Sequence, residues 1–398
     1  MMNNKIKFNL RPVLALGMML SLICCKAQYP LSGMWSDKTF VSVKDFGAVG
    51  DGINDDTKSI QAAIKYAEGS GFSAPKLEGL YEENSIYIGA SKVVYFPTGA
   101  YKISAPMEIG SYGHLVGEKC LVLPTKNKSN QINAFNANGW QLKIEGFQFV
   151  KFNKCIAINN NNIDVGKIVI SDCDFYASNT AIELNAQSSI TIIRENRFFD
   201  NKISLNILNG DKVDVSDNWI TSCTMKGIQN AQIINNGVLH FDKNILVPKP
   251  PDSKAVEPAW INNYYSVSIS NVRQGGEPGS FTLVNNFAEA KVNYPYIPNS
   301  VIIENSDCYG AYKGDDKVPI TLLRLINVPN VISIKNIQGL LDTKLMGMSL
   351  KTSRNRKTKI LTETNASYIS ISIENINGNR IMEKNTSDIP DELLKFKK

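Results

Sequence analysis

The chain has 398 residues, of which 43% are apolar and 20% charged, a composition typical of a globular protein and not of a disordered one. Its formal net charge is +6, but four basic residues lie in the first 27 positions, where there is no acidic residue. The rest of the chain has 39 basic and 37 acidic residues, a net charge of +2, so charge gives no ground for nucleic-acid binding and we exclude that class of partner.

Residues 1–27 are predicted to be a secretory signal peptide. Three basic residues precede the apolar stretch VLALGMMLSLICC (13–25), which is too short to span a bilayer. We expect cleavage after Ala27, and hence a secreted protein, extracellular or periplasmic, without a membrane span. Acylation of Cys24 or Cys25, as in a surface lipoprotein, stays open as an alternative.

Cysteine usage after this cleavage does not indicate a metal centre. The number of remaining cysteines is odd and no two form a CxxC pair, so we predict no zinc site. We expect buried thiols that pack as small apolar side chains. These cysteines are Cys120, Cys155, Cys173, Cys223 and Cys308.

The stretch KDFGAVGDGINDDTKSIQAAI (44–64) predicts a capped helix. Ile60, Ala63, Ile64 and Ala67 have the spacing of one helical face. Asp55 or Asp56 stands where a helix N-cap belongs. The segment KVVYFPTGAYKIS (92–104) then predicts two strands around a Pro-x-Gly turn. We interpret residues 41–104 as an N-terminal cap and first coil, and the acidic residues of this stretch as structural.

A short pattern recurs through residues 140–380, and it consists of alternating apolar residues followed by Asn or Asp. Its copies are spaced 22 to 39 residues apart. Short alternating strands at such spacing predict a parallel β-solenoid, in which each coil buries its inward face on its neighbours. Residues 28–398 are thus predicted to be one domain. The last alternating apolar residues of the copies are Ile144, Ile170, Ile193, Val215, Phe241, Ile269, Ile303, Ile334 and Ile373.

Asparagines follow these anchor residues at fixed offsets. Asn196, Asn218 and Asn244 stand three residues past the anchor in consecutive coils, and Asn271, Asn305, Asn336 and Asn375 stand two residues past it. We predict that these side chains bond along ladders and occupy left-handed corners.

The longer spacings toward the C-terminus predict loops that leave the coil. Residues 246–266, 274–300 and 340–368 form these excursions, and the last contains the basic run KTSRNRKTK (351–359). The tail, residues 388–398, is predicted to be a short amphipathic helix that caps the open end of the solenoid.

The stretches DFGAVGDGINDDTKSIQAAI and VVYFPTGAYKIS resemble the N-terminal signature of the pectate-lyase-like right-handed β-helix superfamily, in the subgroup with polygalacturonases and rhamnogalacturonases. The resemblance covers about a tenth of the chain, residues 41–68 and 92–104, and the insertion at 71–91 departs from it. It implies an all-β, right-handed parallel β-helix with an N-terminal capping helix and an extracellular polysaccharide as substrate. It does not imply a particular reaction.

Polygalacturonases of this superfamily use Gly-His-Gly and Arg-x-Lys motifs, which this sequence lacks on its repeat strands. Candidate residues therefore come from the least repeat-like loop, VRQGGEPGSFTLVNN (272–286). We predict catalytic roles for Arg273, Glu277, His240 and Asp307, since an Arg binds a uronate and the others can transfer protons. We predict substrate binding by Trp260, Tyr264, Tyr265, Arg354 and Arg356, because aromatic rings suit sugar rings and the basic run suits an anionic glycan.

Two mechanisms fit these residues. In hydrolysis, Glu277 would act with Asp307 or Asp242 as acid and base. In β-elimination, Arg273 or a lysine would neutralise the uronate, while His240 or Tyr264 would transfer protons. No cofactor is predicted, although Ca²⁺ is compatible with a lyase. A non-catalytic, glycan-binding β-helix is the third interpretation.

Overall fold

The computed structural model describes residues 40–69, 72–73, 89–90, 92–138, 141–160, 166–187, 190–221, 231–247, 259–274, 281–287, 299–308, 312–313, 316–317, 320–325, 329–338, 370–377 and 394–397. This part of the chain consists mostly of β-strands, with one α-helix, α1 (Thr57–Gly69), near its beginning. The parallel β-solenoid predicted from the repeat is confirmed.

Each coil has three strands, which we name a, b and c in chain order. In one coil they are Lys167–Ser171, Asp174–Tyr176 and Thr180–Ala186. Strands a and b of successive coils pair in parallel within a 20-stranded sheet, and the c strands form a 9-stranded parallel sheet. Because neighbouring coils supply the hydrogen-bond partners, each coil depends on the next for stability.

The strand bounds follow this order along the chain. Strands a, some of which continue into b, are Val93–Phe96, His114–Pro124, Leu142–Val150, Lys167–Ser171, Ile190–Arg194, Lys212–Ser216, Val238–Asp242, Ser266–Ser270, Ser300–Cys308, Val331–Gln338, Ser370–Asn377 and Leu394–Lys397. Separate strands b are Ala100–Ile103, Asp174–Tyr176, Arg197–Phe199, Trp219–Thr221, Ile245–Val247 and Arg273–Gln274. Strands c are Met107–Ile109, Phe135–Ala137, Lys154–Asn160, Thr180–Ala186, Ile203–Asn209, Ile233–Asn235, Ala259–Asn263, Phe281–Asn286 and Ile320–Leu325.

Four short strands and two 3₁₀ turns lie beside the coils. Phe72–Ser73 pairs antiparallel with Gly89–Ala90, and Tyr312–Lys313 with Asp316–Lys317. Phe40–Ser42 and Asp51–Asp55 belong to the large sheet. The 3₁₀ turns are Val43–Phe46 and Lys126–Lys128.

The anchor residues predicted from the sequence share one column of the large sheet. Ile144 is in register with Ile170, Ile170 with Ile193, and the match continues through every later anchor to Ile373. Anchors from Ile144 to Ile334 are buried. A neighbouring interior column stacks phenylalanines, with ring centroids of Phe149 and Phe175 5.4 Å apart and of Phe175 and Phe198 5.0 Å apart.

The two sets of asparagines occupy different positions at the corner between strands a and b. Asn271, Asn305 and Asn336 have positive φ angles of 52°, 49° and 53°, so they form the left-handed corner itself. Asn196, Asn218 and Asn244 come one position later and point into the core, where each is at most 1% exposed. Their amides bond from coil to coil, as predicted.

The N-terminal cap is also confirmed. Ile60, Ala63, Ile64 and Ala67 form the buried face of α1. The adjacent carboxylates of Asp55 and Asp56 bind different backbone groups. The carboxylate of Asp55 accepts from Thr57 N at 3.0 Å, whereas that of Asp56 accepts from the N–H groups of Val49 and Gly50 at 2.6 and 3.0 Å. No helix in the described residues is both long and apolar enough to cross a membrane.

The predicted C-terminal helix is wrong for the residues that the structure describes there. Leu394–Lys397 form a strand that pairs in parallel with Ser370–Asn377. Leu394 and Phe396 are in register with Ile371 and Ile373, so the backbone of LKFK extends the parallel sheet. Residues 1–27, 351–359 and 388–393 lie outside the described residues.

Three of the five predicted buried cysteines can be placed. Cys120, Cys155 and Cys173 are buried free thiols. Burial raises the pKa of Cys155 to about 12, so its sulfur is an inert part of the core. Cys223 lies outside the described residues, and so does the side chain of Cys308.

Candidate functional site

The longest connections of the central coils adjoin strand c. Residues 222–230, 248–258 and 275–280 join a strand b to the following strand c, and residues 288–298 join a strand c to the next strand a. Each strand c in these coils therefore begins or ends at an insertion. Because functional residues are often carried by loops on a rigid scaffold, the outward side of these strands is the first candidate site.

Outward side chains of the c strands form a polar row, which we call the strand-c face. Register places one of them in each coil from residue 157 to residue 285. All are partly exposed. Three are amides, one is a carboxylate and two are apolar. The members are Ala157, Glu183, Asn206, Ile234, Asn262 and Asn285.

Glu183 is held in place from both sides. Its Oε1 accepts from Lys154 Nζ at 2.5 Å, and its Oε2 accepts from Asn206 Nδ2 at 3.0 Å. The side chains of Lys154 and Glu183 are 30% and 18% exposed, so the pair still meets solvent. This arrangement offers a fixed carboxylate next to an ammonium and an amide, which together can accept from and donate to ligand hydroxyls.

Farther along the same face, two amides lie beside two stacked rings. Asn285 Nδ2 donates to Asn262 Oδ1 at 3.1 Å. Two residues after each amide stand Phe287 and Tyr264, whose ring centroids are 4.6 Å apart with an interplanar angle of 10°. A partly exposed aromatic pair next to hydrogen-bonding amides has the chemistry that sugar rings require.

The structure distributes the predicted catalytic residues over different strands. Arg273 and Asp307 are register neighbours on strand b, but within the described residues they form no ion pair. His240 is exposed on strand a, in register with Asp214 and Ser268. Glu277, Arg354 and Arg356 lie outside the described residues. The described members therefore do not form one cluster.

Asp242, the alternative partner of Glu277, lies on strand a, and its Oδ1 already accepts two hydrogen bonds. Ser270 Oγ and Asn271 Nδ2 each donate to its Oδ1 at 2.7 Å. Partial burial opposes ionisation, but these hydrogen bonds outweigh it and lower the pKa of Asp242. A carboxyl with a lowered pKa is poorly suited to act as a general acid.

Of the three predicted aromatic ligands for sugar, Tyr264 alone is partly exposed, one residue past the end of the strand c that carries Asn262. Trp260 is 2% exposed and belongs to the hydrophobic core, so its ring cannot stack on a substrate there. The reason is that strand c starts with three successive buried residues, Ala259, Trp260 and Ile261, before the alternation resumes. Tyr265 is 8% exposed, and burial raises the pKa of its hydroxyl.

The amino-acid sequence matches the family model described as "Rhamnogalacturonase A/epimerase, pectate lyase-like" over residues 40–275, more than half of the chain. The chain belongs to this family. The match contains α1, the coils with the ladder of Asn196, Asn218 and Asn244, and strand c as far as Asn263. It ends just before the segment that contains Glu277.

Curated relatives of this rhamnogalacturonase A/epimerase-like protein share short regions with it. Plasmin and fibronectin-binding protein A of Streptococcus pneumoniae is 38% identical over 95 residues, which are 24% of this chain and 11% of the relative. Mannuronan C5-epimerase AlgE4 of Azotobacter vinelandii is 39% identical over 82 residues, 21% of this chain and 10% of the relative. The chain thus spans about a tenth of the length of these relatives.

The solved structures that the chain is similar to are more distant in sequence. The surface adhesin PfbA of Streptococcus pneumoniae is 17% identical with a TM-score of 0.40, and the comparison covers 86% of this chain and 99% of the adhesin. An exopolygalacturonase of Thermotoga maritima is 12% identical with a TM-score of 0.37, covering 76% of this chain and 92% of the enzyme.

Sequence reasoning missed several polar groups of this family member. On strand a, His114 Nε2 and Glu145 Oε1 are 3.1 Å apart, and Lys143 Nζ lies 2.8 Å from the same oxygen. The hydrogen bond with His114 lowers the pKa of Glu145 despite its partial burial.

Among the described residues, no group of three or more His, Cys, Asp or Glu could hold a metal ion.

Glu183 and Asn285 were also missed, although a signal for them existed. Glu183 and Asn206 are 23 residues apart, and so are Asn262 and Asn285. This is the same spacing as between the anchors Ile170 and Ile193. Searching for polar residues at the coil spacing would have found the row.

Proposed function

We propose that the protein is a secreted polysaccharide-active enzyme that binds an extracellular, uronate-containing or otherwise anionic glycan along the strand-c face and hydrolyses its glycosidic bonds. The observation that carries this proposal is the row of amides and Glu183 beside the stacked pair Tyr264–Phe287. Amides and carboxylates bind sugar hydroxyls, while aromatic rings contact the apolar faces of pyranose rings. Mannuronan epimerases among the curated relatives support a uronate polymer as the ligand.

In this proposal Glu277 is the general acid and Asp307 its partner, and Arg273 binds the uronate carboxylate. Chain connectivity supports the assignment of Glu277. The segment 275–280 leads from the strand b that carries Arg273 to the strand c that carries Asn285. Arg354 and Arg356 would add positive charge for an anionic chain. Secretion through the signal at 1–27 gives access to such a polymer.

β-Elimination is the second candidate reaction, with Arg273 neutralising the uronate, His240 or Tyr264 transferring protons, and Ca²⁺ as a compatible cofactor. Binding without catalysis is the third candidate, and one observation favours it. Among the described c strands between residues 154 and 286, Glu183 is the single acidic residue, and Lys154 neutralises it. Hydrolysis needs two carboxyl groups within about 5–9.5 Å of each other.

A glycan panel with product analysis separates these candidates. The protein without residues 1–27 is incubated with polyuronates, sulfated glycans and neutral glycans. New reducing ends without ultraviolet absorbance indicate hydrolysis, and new ends with the absorbance of an unsaturated uronate indicate elimination. Glycan binding without newly formed chain ends would indicate a non-catalytic glycan-binding protein. It would refute both hydrolysis and elimination.

Two variants then test the residues. Glu277→Gln should lower turnover by about 100-fold or more, because a general acid contributes that much. Its control is Glu195→Gln, since Glu195 lies at the exposed corner between strands a and b. Glu183→Gln should weaken glycan binding, since it removes the ion pair with Lys154. Unchanged turnover in Glu277→Gln would remove Glu277 from the mechanism.

A further inference from the structure

The outward side of strand b carries a second row, away from the strand-c face. Register places its six members in six successive coils, which are about 4.8 Å apart. An acid–arginine pair stands at each end, and two apolar residues lie between the pairs. The order of this strand-b row is Asp174, Arg197, Trp219, Ile245, Arg273 and Asp307.

Arg197 is fixed in place although its side chain is 52% exposed. Its Nε donates to Asp174 Oδ1 at 2.6 Å, and its Nη2 donates to Asp174 Oδ2 at 2.5 Å. Asp174 is buried and also accepts from Gln148 Nε2 at 3.1 Å. The Arg197 Cζ atom lies 6.0 Å from the centroid of the Phe199 ring. The guanidinium is therefore held by the Asp174 carboxylate and lies near the Phe199 ring.

This geometry leaves part of Arg197 available. A guanidinium has five N–H donors, and Asp174 occupies the edge formed by Nε and Nη2. The edge formed by Nη1 and Nη2 has the spacing for a second, bidentate carboxylate. Because the side chain is already ordered, a ligand that binds this edge loses little side-chain entropy.

Trp219 occupies the next coil and offers an apolar surface. Its residue exposure of 42% makes it the most exposed tryptophan in the described part of the chain. The neighbouring position in the row, Ile245, is partly exposed. Tyr176 and Phe199, with ring centroids 5.1 Å apart, extend the apolar surface beside the row. A pyranose ring matches such a surface in width and flatness.

Arg273 lies three coils beyond Arg197, about 14 Å along the axis. It is exposed, and within the described residues it forms no ion pair. The row thus presents two guanidinium groups on either side of the Trp219 platform. This pattern complements a ligand with two negative charges separated by an apolar ring surface.

We propose that the strand-b row binds a chain of acidic pyranose residues parallel to the solenoid axis, at a site distinct from the strand-c face. One carboxylate contacts the Nη1–Nη2 edge of Arg197, a second contacts Arg273, and a ring between them stacks on Trp219. Such a surface would hold one stretch of the polymer while another stretch of the same polymer contacts a different part of the protein. This row shares Arg273 and Asp307 with the proposed catalytic set, whereas Arg197 and Trp219 take part in neither candidate reaction.

Isothermal titration with polygalacturonate tests this site. Trp219→Ala should weaken binding about tenfold, and Arg273→Gln about fivefold, with a loss that shrinks as salt is added. The matched controls are Ile190→Ala, an apolar residue with 39% exposure, and Arg194→Gln, an exposed arginine on strand a of the coil that carries Arg197. Both controls should stay within twofold of the unaltered protein.

Three further results would overturn the proposal. Fully methyl-esterified polygalacturonate, whose carboxyl groups are uncharged, should bind much more weakly, and equal affinity would refute the role of the two arginines. Concentration-dependent association of the protein that Trp219→Ala abolishes would identify the row as a contact between copies. If Tyr264→Ala abolishes binding while Trp219→Ala leaves it unchanged, the glycan does not bind along the strand-b row, and this inference fails while the proposed function stands. Binding of a sulfated glycan through the same row would instead support it and identify sulfate as the charged group.

Discussion

Replacing Asn218 by alanine should destabilise the solenoid strongly, because this side chain connects three coils. Asn218 is 1% exposed. Its Oδ1 accepts from the backbone N and the Nδ2 of Asn196 at 2.9 and 3.0 Å. Its Nδ2 donates to Ile193 O at 3.0 Å and to Asn244 Oδ1 at 2.9 Å. Asn218→Ala removes all four hydrogen bonds.

The expected loss in the free energy of unfolding depends on which hydrogen bonds the partners of Asn218 keep. The Nδ2 of Asn196 still donates to Ile170 O, and Asn244 Oδ1 still accepts from the backbone N of residue 218. The backbone N–H of Asn196 loses its acceptor, and Ile193 O loses a donor. A buried donor without a partner costs about 1–3 kcal/mol, and each other lost bond costs about 0.5–1.5 kcal/mol. We expect a loss of about 3–5 kcal/mol in the free energy of unfolding.

Urea denaturation of Asn218→Ala and of a surface control measures this loss. Asn159 is exposed and accepts one hydrogen bond from Asn185 Nδ2 at 2.9 Å. Asn159→Ala should therefore cost about 0.5 kcal/mol or less. If the two variants lower the free energy of unfolding by amounts within about 1 kcal/mol of each other, the interior ladder does not stabilise the coils as argued.

Two further predictions concern stability. Gly146→Ala should lower the free energy of unfolding by more than about 3 kcal/mol or prevent folding. The reason is that residue 146 has a φ of +79° and the new Cβ would lie 2.0 Å from Gly117 O. A melting temperature near that of the unaltered protein would contradict this prediction. Glu145 has a lowered pKa through its hydrogen bond with His114, so its stabilisation is present above the unfolded pKa and is lost as pH falls through the folded one. Glu145→Gln should thus cost up to about 1 kcal/mol at pH 7, and this difference should shrink as the pH falls below the unfolded pKa of a glutamate; a cost independent of pH in urea denaturation would exclude this cause.

The scaffold could be predicted because its signals are local and repeated. Alternation fixes which residues point inward, and the spacing between copies fixes which residues stack. The alternation and the spacing could be recognised at every anchor from Ile144 to Ile373, and all of these anchors share one column. The helix α1 was readable for the same reason, since Ile60, Ala63, Ile64 and Ala67 follow the helical period.

Two predictions failed where local patterns give ambiguous information. The tail LKFK fits an amphipathic helix when it is considered with the preceding residues, but its period-2 alternation lets it extend the sheet. Trp260 was predicted to contact sugar because it was assigned to the loop at residues 246–266. Trp260 instead lies in strand c, where Ala259, Trp260 and Ile261 are all buried.

The predicted site was dispersed for a reason that is general to solenoids. Arg273, Tyr264 and His240 were grouped because they are near one another in sequence, yet consecutive strands of a coil point in different directions. Residues one full coil apart are the ones that share a surface. Asn262 with Asn285, and Asp174 with Arg197, are each separated by 23 residues and touch.

The geometry of the coil allows two ligand surfaces on one chain. Strands b and c have separate outward faces, and each face repeats its side-chain positions once per coil. A polymer ligand also repeats along its length, so a row of equivalent positions can match it over several units. Such a match needs no pocket, because affinity accumulates over successive contacts along the axis. Variants of Trp219 and Tyr264 therefore probe two separate rows, and their effects on polymer affinity should be additive in free energy when both rows bind.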